Sequence, residues 1–190
     1  MLRKSLAAMS VSLFVAGVAF AGLPTSGQAD TPEKTAKLSE ALSALHAASQ
    51  WSMNLSEMAD QRAESDLVKN YARTVAAANA TTDAKLQSIA QKDGVEIAPL
   101  NPQTPEGKSL LDRVKGETVL LGSLQGDAFD KEYMTLVTNT QQSVIHVLET
   151  NKARATDPGV KQVLGDMTNN VQNRLKTAQD VLAKVYGDSI

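Results

Sequence analysis

The chain has 190 residues, a formal net charge of −2 and no cysteine. A disulfide framework, a thiolate metal site, a cysteine nucleophile and a lipidated N-terminal cysteine are therefore excluded. The 19 Lys and Arg are balanced by 21 Asp and Glu, which argues against a nucleic-acid partner and an anionic membrane surface, since both need clustered cations.

The first element is an export signal. Arg3 and Lys4 form a positive start, and Ser5 to Ala21 carry no charge. Leu6, Val11, Leu13, Phe14, Val15, Val18 and Phe20 supply an apolar run, and Pro24 breaks it before small residues. This order predicts a cleavable secretory signal over residues 1–29, with cleavage after Ala29 and an alternative after Ala21. The apolar run is about 17 residues, at the short end for a bilayer core of about 30 Å. No second such run follows, so the mature chain is expected to have no transmembrane segment. Losing residues 1–29 removes Arg3 and Lys4 and no acid, moving the charge from −2 to −4. Residues 30–190 then suit one domain, and the expected location is the periplasm or another exported compartment.

Helix starts follow at Thr31-Pro32-Glu33, Thr104-Pro105-Glu106 and Asp157-Pro158, where a capping side chain precedes proline at the first helical position. Ser65-Asp66 marks another start, and Asp127 with Asp130 a further one. Gly94 after Asp93 reads as a C-terminal cap. These signals predict long helices over about 32–63, 66–92, 127–154 and 158–186, with a short helix over about 105–116. Val95-Glu96-Ile97 is too short to read as more than an extended loop.

The predicted inward faces step by three and four. Leu45, Ala48, Ser52, Leu55 and Ala59 mark the first helix, with Trp51 and Met58 beside them. Val68, Ala72, Val75, Asn79, Thr82, Leu86 and Ile89 mark the second. Tyr133, Val137, Thr140, Val144 and Val147 mark the next long helix. Val160, Leu164, Met167, Val171, Arg174, Ala178, Leu182 and Val185 mark the last. A helix of about 27 residues is about 40 Å long. The connection from Asp93 to Asp127 is long enough to cross that length, whereas the breaks near residues 64 and 156 force antiparallel hairpins. The expected fold is all-α: a ferritin-like four-helix bundle of two antiparallel hairpins joined by a long crossover containing a short helix.

The segment Gly126-Asp-Ala-Phe129-Asp130-Lys-Glu-Tyr133-Met134 resembles the hallmark of an exported bacterial family, domain of unknown function 4142 (DUF4142). The stretches Leu55–Ala63, Val68–Gly94 and Asp157–Leu182 are similar to it as well. The resemblance implies a ferritin-like bundle behind a signal peptide and no established activity. It also implies an Asp-His pair in the second long helix, another in the third, and a histidine in the fourth. Here these positions hold Ala78-Asn79, Thr140-Gln141 and Arg174. A family role that used those imidazoles therefore does not carry over.

Helix rise puts Asn79, Thr140 and Arg174 near one level, with Ser49 or Ser52 facing them from the first helix. The expectation is a mid-bundle polar layer of Asn79, Thr82, Thr140, Gln141 and Arg174. It reads either as a site for a small polar ligand or as polar groups that pair with each other and fix register. Glu-x-x-His is absent from both His46 and His146, which read as surface or core-edge residues. Met53, Met58, Met134 and Met167 are too scattered for a thioether copper site and read as core filler. Gly122–Gly126 lacks the following Lys-Ser/Thr of a phosphate loop, and no nucleophile motif is present. No catalytic residue, metal or cofactor is assigned.

The expected function is that of a non-catalytic envelope protein, binding or structural, whose partner is an envelope protein or a small polar ligand. The alternative is a ferritin-like metal-binding or oxidase protein with a histidine-free site drawn from carboxylates such as Glu57, Asp60 and Asp83. A third reading is an amphipathic lipid binder that opens at membranes.

Overall fold

A computed structural model describes residues 32–187 apart from 100, 102–104 and 155–157. The signal segment and the capping positions Thr31, Thr104 and Asp157 lie outside the described residues. Five helices follow in order: α1 (Pro32–Arg62), α2 (Asp66–Asp93), α3 (Pro105–Ser123), α4 (Gly126–Arg154) and α5 (Pro158–Gly187). Among the described residues there is no strand.

Caps begin and end α2 where the sequence places them. The Ser65 side chain accepts from the Leu67 N–H, fixing the start of α2 after a short turn. Gly94 closes α2 in the left-handed region at φ 62°. The Val95 N–H reaches back to Ala90 O at 2.9 Å, and the Val95 side chain is buried. This is a Schellman cap with its hydrophobic contact.

Packing is closest between α1 and α2 and between α4 and α5, the two antiparallel hairpins; α1 also meets α4, and α2 meets α5, at fewer residues. The crossover runs alongside α1. Ala98 N–H donates to Ser43 Oγ at 2.9 Å, and Ser39 donates to Glu96 O at 2.6 Å. At the far end of α1, Arg62 donates to Gly122 O at 3.0 Å and Leu124 O at 2.6 Å. The chain from Glu96 to Leu124 therefore traverses the bundle and delivers α4 beside the α1–α2 turn.

That traverse explains a difference from the sequence reading, which ended the short helix near 116; α3 continues to Ser123. Gly116 costs a helix roughly 1 kcal/mol. A helix nevertheless spans the distance with its backbone bonds satisfied, and it carries Leu121 to complete burial. On α4 the inward face also drifts: Gln141, Val144 and Leu148 are buried, while Val147 is only half-buried.

The family hallmark occupies the joint between the hairpins. Phe129, Tyr133 and Met134 are fully buried, and Arg62 stacks over the Phe129 ring at 5.5 Å. Asp130 does not cap its own helix as the sequence suggested. Its carboxylate accepts from the backbone N–H groups of Glu64 at 3.1 Å and Ser65 at 2.7 Å. It thus ties the α1–α2 turn to the N-terminal end of α4. Burial pushes the Asp130 carboxyl above its ordinary value, against the opposing effect of those two N–H groups.

Candidate functional site

Two separate apolar clusters form the core. One gathers Leu55, Val68, Phe129, Tyr133, Val137 and Ala178 near the hairpin joint. The other gathers Leu45, Leu86, Val144, Leu148, Leu164 and Val171 towards the opposite end. Between them the inward positions turn polar: Ser52 and Ser56 on α1, Asn79 and Thr82 on α2, Thr140 and Gln141 on α4 are all buried. Arg174 on α5 is half-buried. Of the five residues named from the sequence, Asn79, Thr82, Thr140 and Gln141 are thus buried and Arg174 half-buried.

Cross-helix bonds organise this band. Asn79 Nδ2 donates to Ser52 Oγ at 2.8 Å and to Val75 O at 3.0 Å. Gln141 Nε2 donates to the Tyr71 hydroxyl. Ser56 Oγ and the Tyr133 hydroxyl share a bond at 3.3 Å. Thr82 donates to Ala78 O on its own helix. Thr140 turns away from Asn79, towards α3, and accepts from Arg113 at 3.1 Å. Helix rise placed Ser52 opposite Asn79, and the two are bonded; Gln141 pairs instead with Tyr71.

Tyr71 is the hub that sequence reasoning missed. It occupies the position before Ala72 on the α2 stripe, where an aromatic reads as core, yet its hydroxyl sits among polar partners. Burial pushes its pKa up to about 12, opposed by the hydrogen bond from Gln141 and by the charge of Arg174. Burial likewise raises Tyr133, opposed by Ser56 and reinforced by Tyr71. Burial lowers the Arg174 guanidinium, opposed by Tyr71. Ser56 and Tyr133 had no local motif to reveal them, because their partnership joins residues 77 positions apart.

Two amide oxygens of the band, Asn79 Oδ1 and Gln141 Oε1, are buried without a hydrogen-bond partner among the described residues. These are the positions where the family resemblance implies imidazoles.

The carboxylates considered for a histidine-free metal site point elsewhere. Glu57 is exposed, and Asp60 pairs with Arg73 at 2.7 Å. Asp83 is buried with both oxygens engaged: His46 Nδ1 lies 2.5 Å from one, while Gln50 and Gln87 donate to the other at 3.0 and 2.9 Å. His46 thus orients against Asp83, and His146 is exposed. Among the described residues no group of three or more His, Asp or Glu side chains is arranged so that it could hold a metal ion.

Fold and band together define an all-α bundle of two hairpins and a crossover, with a polar interruption of its core. The pattern of the domain of unknown function DUF4142 matches residues 23–181, and the chain belongs to that family. Its fold is also similar to the crystal structure of a Streptomyces coelicolor protein named as a secreted protein of the DUF305 type. The TM-score is 0.60 at 17% identity, covering 83% of this chain and 96% of the other. No curated protein matches the chain. No helix among the described residues is long and apolar enough to cross a membrane.

Proposed function

We propose that the protein is exported after cleavage at Ala29 and acts in the cell envelope as a non-catalytic binding or structural bundle, with the polar band as its binding site. The observation that supports this most is the chemistry of the band. Amides stand where the family carries imidazoles, and neutral amide oxygens are poor substitutes for imidazole toward zinc, copper or iron. The neighbouring carboxylates add no second ligand, since Asp83 is already saturated by His46, Gln50 and Gln87. The export arm rests on the Arg3-Lys4, apolar and small-residue order at the start of the chain.

Two measurements test the reading. N-terminal sequencing of the protein recovered outside the cytoplasm should begin at Asp30; an intact Met1 would remove the export arm. Elemental analysis of the purified native protein after dialysis should find no stoichiometric transition metal. One equivalent of iron, copper or zinc would instead favour the metal-handling alternative.

A further inference from the structure

Consecutive residues on two helices face opposite ways across the α1–α4 seam. On α1, Trp51 meets Arg113 of α3, whose guanidinium lies 5.6 Å over the indole ring; the next residue, Ser52, accepts from Asn79 inside the bundle. On α4, Thr140 accepts from Arg113, while Gln141 donates to Tyr71 inside. Helix α3 therefore lies on the outside of the seam at the level of the polar band. Arg113 is also held by Glu117, Nε to Oε1 at 2.8 Å, one turn along α3. The α1–α4 seam is far more sparsely packed than either hairpin, and α3 touches α1 and α4 at few residues.

Unpartnered acceptors lie on both sides of this latch. Asn79 Oδ1 and Gln141 Oε1 lie in the band, and Glu117 Oε2 lies beneath α3. A buried amide oxygen left without a donor costs about 1–3 kcal/mol. The band also holds the Arg174 cation, close enough to Tyr71 to act on its hydroxyl. A positive ligand would be repelled there, and an anion would meet unpartnered oxygens.

From these contacts we infer that the seam beneath α3 is the entrance to the polar band, that Arg113 is its latch, and that the band takes a small uncharged hydrogen-bond donor. Water is the smallest member of that class, and a hydroxyl- or amide-bearing metabolite is a larger one. The inference rests on the proposed binding role of the band and specifies its ligand chemistry and route.

The test has two arms. The first is a high-resolution crystal structure of the purified native protein. Density within hydrogen-bond distance of Asn79 Oδ1 and Gln141 Oε1, without anomalous signal, is the expected result; mass spectrometry of the denatured protein then separates water from a metabolite. Oxygens satisfied by rotated protein donors, or left with no neighbour, overturn the inference alone. A metal at that place overturns both the inference and the proposed function. The second arm is native-state hydrogen exchange on the Arg113→Ala variant, with Arg73→Ala as a surface control. Peptides covering Trp51–Ser52 and Thr140–Gln141 should exchange about 10-fold faster, while those covering Ala178–Val185 keep their rates. Unchanged rates, or a uniform rise across all helices, refute the latch.

Discussion

Replacing Asp130 by alanine removes both acceptors that join the α1–α2 turn to α4. The Glu64 and Ser65 N–H groups would lose bonds of 3.1 and 2.7 Å at a carboxylate that is 2% exposed. Bonds to a charged acceptor are worth about 1.5–3 kcal/mol each, so the gross loss is about 3–6 kcal/mol. Burying the carboxylate, which raises its pKa, offsets part of this. A net loss of about 2–3 kcal/mol remains, which for a domain of this size lowers Tm by roughly 4–12 °C. Asp130→Asn keeps one acceptor and should fall between wild type and alanine. Urea unfolding followed by far-UV circular dichroism at pH 7 measures both variants. An Asp130→Ala midpoint equal to wild type would refute the assignment of the hallmark aspartate as the tie between hairpins. The pH response has a definite sign. Because the folded carboxyl holds its proton more tightly than the unfolded one, its favourable contribution is complete below pH 3.8 and declines as pH rises through the raised folded value. Asp130→Asn should remove that decline.

Tyr71 makes a parallel prediction at the alkaline end. Its pKa rises from 10.0 to about 12 in the fold, so its contribution is complete below pH 10 and is lost between pH 10 and about 12. That is about 2–3 kcal/mol, and Tyr71→Phe should flatten part of the urea-midpoint slope in this window. Gly126 sits at φ 56°, and a Cβ there would come within 3.0 Å of the flexible end of Glu64. Gly126→Ala should cost about 1–2 kcal/mol, measured by thermal unfolding, chiefly from the backbone conformation. Tyr133→Phe should cost about 1 kcal/mol by breaking the bond to Ser56. Adding Ser56→Ala should cost little more, and fully additive losses in the double-mutant cycle would show that the two hydroxyls do not interact.

The helices were legible in the sequence because their signals are local. Ser65 and Gly94 act through neighbours within five residues, and the three-four stripes of α2 and α5 need only the chain's own geometry. The two-hairpin topology followed from loop lengths. The true length of α3 was not legible, because it is set by the distance from Ser43 to Arg62 along another helix. The role of Asp130 was hidden for the same reason: a cap supplied from 65 residues away has no local spacing to betray it. At the band, polar residues on apolar stripes marked Asn79, Thr82, Thr140 and Arg174 as inward positions; on α4 it is the neighbour Gln141, named only through the family resemblance, that reaches Tyr71, while Thr140 accepts from Arg113 of α3. Their partners did not follow, since Tyr71 and Tyr133 present an apolar body to any periodicity argument and a polar tip only to the folded core.

The band also shows what an amide can do at a position where the family resemblance implies imidazole. A buried imidazole supplies one N–H donor and one acceptor, and an amide supplies both as well. Asn79 uses its donor to reach Ser52 across the α1–α2 hairpin, and Gln141 uses its donor to reach Tyr71 across the bundle. Each amide therefore makes a cross-helix bond, which fixes the register of α1 against α2 and of α4 against α2. What changes is the remaining lone pair. On imidazole it is a borderline ligand for transition metals; on an amide it is a hard, weakly basic oxygen suited to accepting a hydrogen bond. In this chain that oxygen is left over twice within one polar band. An apolar residue of similar size would avoid the cost of burying an unpaired oxygen. A hydrogen-bond donor seated in the band, as inferred above, would offset that cost at both oxygens.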